Sequence, residues 1–373
     1  MRPTFRPTVA RVDLDAIAHN ARLLRRRAGE GTRVLAAVKA DAYGHGAVAV
    51  ARRLERDGVD WFGVATVEEG LELRSHGIGA PILLFSGPGR LGADAAVSQD
   101  LTCVVGDVQT AKRLNAAASR ARRTVPVHLK LDTGMSRIGV MPDDWAAFVT
   151  LVGSLDNLHI DGVMTHLASA DDGSPRTVAQ LARFQRGLDV VAQQGHRPTF
   201  VHCDNSAGIL GHDHGFGLVR PGISLYGPNP GGEVGDDDLR AALTWRTDVL
   251  NTKWIDAGTE VSYGGTWTAP RRTCLAVLPV GYADGYPRIL SGRADVLVNG
   301  HRCPIRGRVC MDLMMVDVTE HSETTEQGTE VVLIGEQGGE RIGASELAHL
   351  ADTISYEILV GISGRVPRVW SGS

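Results

Sequence analysis

The stretch VLAAVKADAYGHGAVAVARRLERDGVDWFGVATVEEGLELRSHG, residues 34–77, decides the fold class. VLAAVK (34–39) and WFGVAT (61–66) are short, almost continuously apolar runs, whereas AVAVARRLERDG (47–58) and VEEGLELRSHG (67–77) space their apolar residues as helices do. A uniformly apolar strand is one covered on both faces, and a helix between two such strands implies parallel pairing. The unit repeats outward from this stretch. PILLF (81–85), LTCVV (101–105), VHLKL (127–131), IDGVMTH (160–166), TFVHC (199–203) and GLVR (217–220) read as further strands, with helices over 108–123 and 177–195. In the last helix Val178, Leu181, Phe184, Leu188 and Val191 fall on one face. Eight units within about 210 residues predict a (β/α)₈ TIM-type barrel, with a doubly wound sheet as the alternative.

The pattern changes after residue 227. PNPGGEVGDDDLR (228–240) reads as a linker, and CLAVLPV (274–280), ADVLVNG (294–300), LMMVDV (313–318) and EVVLIG (330–335) are β-type runs, with one helix-like segment, SELAHLADTI (345–354). The expected division is a cofactor-binding barrel over 1–240 and a mostly-β C-terminal domain over 241–373. The strand VARVDL (9–14) could pack with either.

Composition narrows the partners. The 373 residues carry 39 Lys+Arg against 43 Asp+Glu, a net charge of −4. That balance argues against a nucleic-acid binder, and the clusters Arg25–Arg27 and Arg120–Arg123 read as solvated helix faces. No apolar run approaches the roughly 18–20 residues that cross a bilayer, so no membrane partner is expected. MRPTFRPTVA lacks the apolar core of a signal peptide. The five cysteines are scattered, with no CxxC pair, which fits a reduced cytoplasm. His212 and His214 in GHDHG lack a third ligand, and no metal is expected.

In a β/α barrel the reactive residues sit at the C-terminal ends of the strands. There the sequence places Lys39, then Lys130 followed by DTGMSRIG with Arg137, then His166, then HCDNS (202–206), then Arg220 before Pro221-Gly222. Singly each is ordinary; a lysine ending a strand usually reaches to water. Together they line one face with cations. A buried lysine amid cations is a neutral amine, fit to act as nucleophile or base. The Gly222 backbone after strand eight suits a phosphate. A Schiff-base lysine beside a phosphate cradle leaves open a carbonyl cofactor, pyridoxal 5'-phosphate being favoured, or a lysine aldolase acting on a phosphorylated carbonyl compound.

AVKADAYGHG (37–46) resembles the lysine motif of the alanine racemases. KLDTGMSRIG (130–139), HCDNSAG (202–208), VRPGISLYG (219–227), VSYGGTW (261–267), PVGYADGYPR (279–288), VCMDLMMVDV (309–318) and TISYEI (353–358) extend the resemblance in order over essentially the whole chain. The resemblance implies a pyridoxal-phosphate enzyme with a barrel, a C-terminal β domain and a homodimer with shared active sites. It implies that Lys39 binds the cofactor covalently and that Tyr263 is a second base, presented to the other subunit's barrel. Racemisation removes a proton from one face of Cα and returns one to the other, so two bases must flank that carbon. A free phenol titrates near pH 10, so such a tyrosine needs cationic surroundings.

By the same resemblance Arg220 faces the pyridine nitrogen, with His166 supporting it. An arginine donates a hydrogen bond without surrendering its proton, which keeps the ring nitrogen neutral and disfavours transamination. Tyr43, Ser206, Gly222, Ile223 and Tyr356 fall at phosphate-contacting positions. Arg137 matches the arginine near the phenolic oxygen and the substrate carboxylate, and Lys130 the lysine that many members carry as a carbamate. Met311 matches a residue whose amide meets the substrate carboxylate; it and Tyr282 would reach the partner's site. One departure is Leu313, where members commonly have Gln after Met-Asp. The implied function is interconversion of L- and D-alanine, supplying D-alanine for peptidoglycan. The alternatives are a broader serine/alanine racemase, a decarboxylase of related fold, and a non-catalytic cofactor carrier. The matches at Tyr263 and Met311 argue against the last two.

Overall fold

The computed structural model describes residues 5–211, 215–230 and 238–372. His212, His214 and the central part of the expected linker, 231–237, lie outside the described residues. The chain divides into two compact units. One comprises Ile17–Ala42 and Ala47–Arg240, the other Met1–Ala16, Tyr43–Gly46 and Ala241–Ser373.

The first strand, β1 (Val9–Asp13), belongs to the second unit. The next eight are β2 (Arg33–Ala37), β3 (Trp61–Val64), β4 (Ile82–Leu84), β5 (Leu101–Val105), β6 (Val125–Lys130), β7 (Leu158–Met164), β8 (Phe200–His202) and β9 (Leu218–Val219). They form a parallel sheet in the order β8-β7-β6-β5-β4-β3-β2-β9, a nearly closed barrel of the predicted TIM type. At the junction of β8 and β9 the Arg220 N–H donates to the Asp204 carbonyl at 2.9 Å. Leu35, Trp61, Leu83, Val104, Met164, Phe200 and Leu218 fill the interior, which is why the strands read as unbroken apolar runs.

The helix Pro175–Gln193 buries Phe184 and Val191 of its predicted face and half-buries Leu181 and Leu188, but it leaves Val178 exposed and turns Thr177, Gln180 and Gly187 inward as well. The reason is Gln180, whose amide donates to the Thr133 hydroxyl (3.2 Å) and the His166 carbonyl (3.0 Å) and accepts from the Ala168 N–H (2.8 Å). A buried amide with these bonds made is tolerated, and it ties together the loops after β6 and β7.

The second unit is built on a ten-stranded sheet. Its strands after β1 are β10 (Leu243–Asp248), β11 (Asn251–Ile255), β14 (Thr273–Leu278), β15 (Asp295–Val298), β16 (His301–Arg306), β17 (Met314–Asp317), β18 (Glu330–Gln337), β19 (Glu340–Ile342) and β20 (Arg368–Ser371), while β12 (Glu260–Val261) and β13 (Trp267–Thr268) make a separate short ribbon. β1 lies between β10, antiparallel, and β20, parallel, which places the N-terminal strand in this sheet. Beyond the expected helix near 345–354, found at Ala344–Leu350, the TISYEI motif forms another, Ser355–Gly361.

Candidate active site

Lys39 follows β2 directly. Val38 N–H donates to the Gly63 carbonyl at 2.9 Å, holding the chain to β3 up to the lysine. Ala40, Asp41, Ala42 and Tyr43 then take φ values of 51°, 53°, 54° and 54°. This is a left-handed turn without glycine, at a cost of roughly 1–2 kcal/mol per residue. Side chains hold it. Glu69 accepts from the Ala40 N–H (2.7 Å) with one oxygen and from the Ala65 N–H (2.7 Å) with the other, and it completes a capping box with Thr66. Asp41 accepts from the Ala47 N–H at 2.7 Å. Burial, followed by the charge of Arg137, pulls the Lys39 ammonium below its ordinary value, with Glu69 opposing.

Arg220 follows β9 and is buried. Its guanidinium donates to His202 Nδ1 (2.9 Å) and to the carbonyls of Thr165 and Cys203 (both 2.9 Å), with His166 Nδ1 at 3.4 Å. These partners are all neutral acceptors, so the cation is held without being cancelled. Burial lowers it to about 10, which leaves it charged at neutral pH. Burial and then Arg220 push His166 and His202 well below the ordinary histidine value, and both are neutral imidazoles.

Lys130 ends β6. Its Nζ is buried with no hydrogen-bond partner, and burial followed by Arg220 drives its ammonium well below normal. Arg137 stands on the following loop, which Asp132 fixes by accepting from the N–H groups of Gly134 (2.8 Å), Met135 (3.0 Å) and Arg137 (3.3 Å). Ser206 opens the short helix Ser206–Gly211, and its hydroxyl accepts from the N–H groups of Gly222 (2.9 Å) and Ser224 (3.3 Å). Gly222 caps the turn Ile223–Tyr226. The barrel thus gathers Lys39, Lys130, Arg137, His166, Ser206, Arg220, Gly222 and Ile223 at the C-terminal ends of its strands.

The remaining candidates lie in the second unit. Tyr43 and Tyr356 meet there with ring centroids 5.9 Å apart, and burial followed by Tyr356 raises the Tyr43 phenol. Tyr263 is 72% exposed. It follows Ser262, whose φ of 66° and ψ of −173° are nearly glycine-only, and whose hydroxyl donates to the Arg308 carbonyl at 2.7 Å. Tyr282 (42% exposed) and Met311 (53% exposed) stand on two loops zipped together by Tyr282 N–H to Cys310 O and Ala283 N–H to Met311 O, both 3.0 Å. A Cβ at Gly281 would lie 2.3 Å from both of those carbonyls, so only glycine permits the zipper. The turn 310–313 is closed by its backbone, Cys310 N–H to Leu313 O at 2.9 Å, and so does not depend on the side chain at 313.

The family model for the alanine racemase N-terminal domain matches residues 12–230, and that for the C-terminal domain residues 242–370. The chain belongs to the alanine racemase family. Among curated alanine racemases, that of Symbiobacterium thermophilum is 49% identical over 99% of this chain and 98% of its own, and that of Halothermothrix orenii 44% over 97% and 96%. The crystal structure of alanine racemase from Streptomyces lavendulae superposes with a TM-score of 0.93 at 38% identity, over 100% of this chain and 98% of that one. The Bartonella henselae enzyme, crystallised with covalently bound pyridoxal phosphate, gives 0.90 at 31%, over 99% and 100%.

Alanine racemases are pyridoxal-phosphate-dependent isomerases, and the barrel residues here fit that cofactor. Lys39 offers an amine with a depressed ammonium, the Ser206 hydroxyl, which accepts from the Gly222 and Ser224 N–H groups, has its own O–H to donate to a phosphate, and Arg220 supplies a hydrogen-bond donor. Among the described residues no group of three or more His, Cys, Asp or Glu could hold a metal, and no helix is long and apolar enough to cross a membrane. Sequence reasoning assigned no part to Glu69, His128, Gln180, Ser262 or Gly281, and it placed His202 at a strand end within HCDNS without a role of its own. His128 carried a usable signal, a histidine two residues before Lys130 and on the same face of β6.

Proposed function

We propose that the chain interconverts L- and D-alanine by a two-base mechanism. The observation that carries this reading is Lys39, a lysine at a barrel-strand end whose ammonium is pulled below its ordinary value by burial and by two arginines. Pyridoxal phosphate supplies the electron sink that weakens the Cα–H bond. Lys39 holds the cofactor and takes or returns a proton on one face of Cα through Nζ. The Tyr263 phenolic oxygen does the same on the other face. Because Tyr263 is exposed on its own chain, it serves a partner subunit, whose barrel cations surround it. The working form is therefore a homodimer with shared sites, each site completed by the partner's Tyr263, Tyr282 and Met311.

Arg220, supported by His166, faces the cofactor's ring nitrogen and keeps it neutral. Ser206, Gly222, Ile223, Tyr43 and Tyr356 hold the phosphate, and Arg137 and the Met311 N–H bind the substrate carboxylate. Lys130 suits carbamate formation, a buried nitrogen with no hydrogen-bond partner whose ammonium is held well below its ordinary value. Its nitrogen adds to carbon dioxide and loses a proton, and the resulting anion braces Arg137. An anion there also relieves the crowding of Lys130 by Arg220 and Arg137. The product serves D-alanine supply for peptidoglycan, in the cytoplasm.

The test is Cα deuterium incorporation from heavy water across a panel of L- and D-amino acids. Exchange with inversion of alanine, ahead of serine and larger amino acids, is the expected result. Exchange without inversion, or none in protein loaded with cofactor, overturns the racemase reading.

A further inference from the structure

Beneath Arg220 the barrel interior holds two buried histidines that the reaction does not touch. His202 Nδ1 lies 2.9 Å from Arg220, and His202 Nε2 lies 2.9 Å from His128 Nδ1. Both imidazoles are wholly buried, and His128 Nε2 has no hydrogen-bond partner. The direction of the chain is fixed by its first member. A guanidinium has only donors, so His202 Nδ1 must accept and carries no proton. A neutral His202 then bears its proton on Nε2 and donates to His128 Nδ1, and a neutral His128 bears its own on Nε2.

The fold is shaped to make this chain. The β6–β7 register shifts between Val127 and His128, an irregularity of the kind that re-aims a side chain. Opposite stands Gly162, where a Cβ would lie 2.5 Å from the His128 ring. The ring is held between Trp61 and Phe200, each with its centroid 5.6 Å away, and meets His202 edge-on at 5.0 Å. A polar ring set into an apolar core by a register shift and a glycine, with one N–H unsatisfied, is an arrangement that packing alone would not select.

We infer that His128 and His202 are positioning residues for Arg220. His128 fixes the rotation of His202, and His202 fixes the plane in which Arg220 presents its guanidinium. The inference rests on the reading that Arg220 faces the cofactor's ring nitrogen. A further titratable group close to the pair is Lys130, whose ammonium burial and Arg220 hold well below its ordinary value.

The first measurement uses the cofactor-free protein. Histidine nitrogen-15 spectra should assign the Nε2–H form to both residues and show no titration of either from about pH 5 to about pH 9. An Nδ1–H form, or an imidazole titrating in that range, overturns the inference. The second measurement compares variants by the 2-oxo acid released per racemisation turnover, the product of transamination, in which the substrate's amino group passes to the cofactor. His128→Leu removes the acceptor for His202 and should raise this ratio about tenfold. His128→Asn, whose carbonyl can accept from His202 Nε2, should keep it within about twofold of the parent. A loss of stability alone would lower both rates together and leave the ratio unmoved. Arg220→Gln separates this inference from the reading beneath it. If Arg220→Gln leaves the ratio unchanged, the ring-nitrogen assignment fails and the inference with it. If Arg220→Gln raises the ratio and His128→Leu does not, only the positioning role is lost.

Discussion

At the scale of single residues, the site is governed by which groups the fold keeps uncharged. Burial pulls the Lys39 ammonium below its ordinary value and the Lys130 ammonium well below it, and it keeps His128, His166 and His202 neutral imidazoles; Arg220 works in the same direction on all five, and Arg137 on Lys39, Lys130 and His166. This has a consequence for stability. An unfolded imidazole gains a proton near pH 6.5, whereas His128 is held at about 3 by burial and by Arg220. Below about pH 6.5 the unfolded chain therefore binds more protons than the native one, and stability falls as the pH drops toward 3. Above 6.5 the contribution is fully present. The urea midpoint of the cofactor-free protein should be lower at pH 5 than at pH 7, with a smaller difference in His128→Asn; a midpoint that does not move would contradict the neutral assignment. Tyr263 can be tested as directly. Tyr263→Phe should slow Cα proton exchange of one alanine enantiomer about 100-fold or more while sparing the other, whose proton faces Lys39. Equal loss for both enantiomers would mean that the phenol is not a base.

At the scale of elements, strained backbone lies beside both proposed bases. The left-handed turn after Lys39 and the positive φ of Ser262 before Tyr263 are each held by side-chain hydrogen bonds, donated by backbone N–H groups to the Glu69 and Asp41 carboxylates in the first case and by the Ser262 hydroxyl to the Arg308 carbonyl in the second. Neither is visible in sequence, because Ala40 and Ala42 are good formers of ordinary helix and nothing in AVKADAYGHG signals the opposite hand. The loops bearing Tyr282 and Met311 depend on a different device, the bare Cα of Gly281 against two carbonyls. Gly281→Ala forces those loops apart and displaces the Met311 N–H. We expect KM for alanine to rise about tenfold, the equivalent of one lost hydrogen bond to a carboxylate, with a smaller change in kcat. A parent-like KM would remove Met311 from substrate binding.

At the scale of the whole molecule, the proposed dimer makes a sharp demand. If Lys39 and Tyr263 in one site come from different chains, two inactive variants can complement each other. Lys39→Ala and Tyr263→Phe, dissociated and reassociated at equal concentration, should regain about a quarter of the parent's sites, since half the dimers are mixed and each mixed dimer has one intact site. No recovery would place both residues in one chain's site. The sequence by itself determined the barrel, because eight apolar runs separated by helices have few other ways to be covered, and it determined the family, because eight motifs in order are specific. It also located Lys39, Lys130, His166 and Arg220, since barrel strand ends are where reactive groups stand. Only the tertiary structure assigned β1 to the C-terminal sheet, turned Gln180 inward, and joined His128 to Arg220 through His202. Those outcomes rest on hydrogen bonds between residues 18, 47, 74 and 239 positions apart, and on a register shift in β6, which no local pattern of apolar and polar residues encodes.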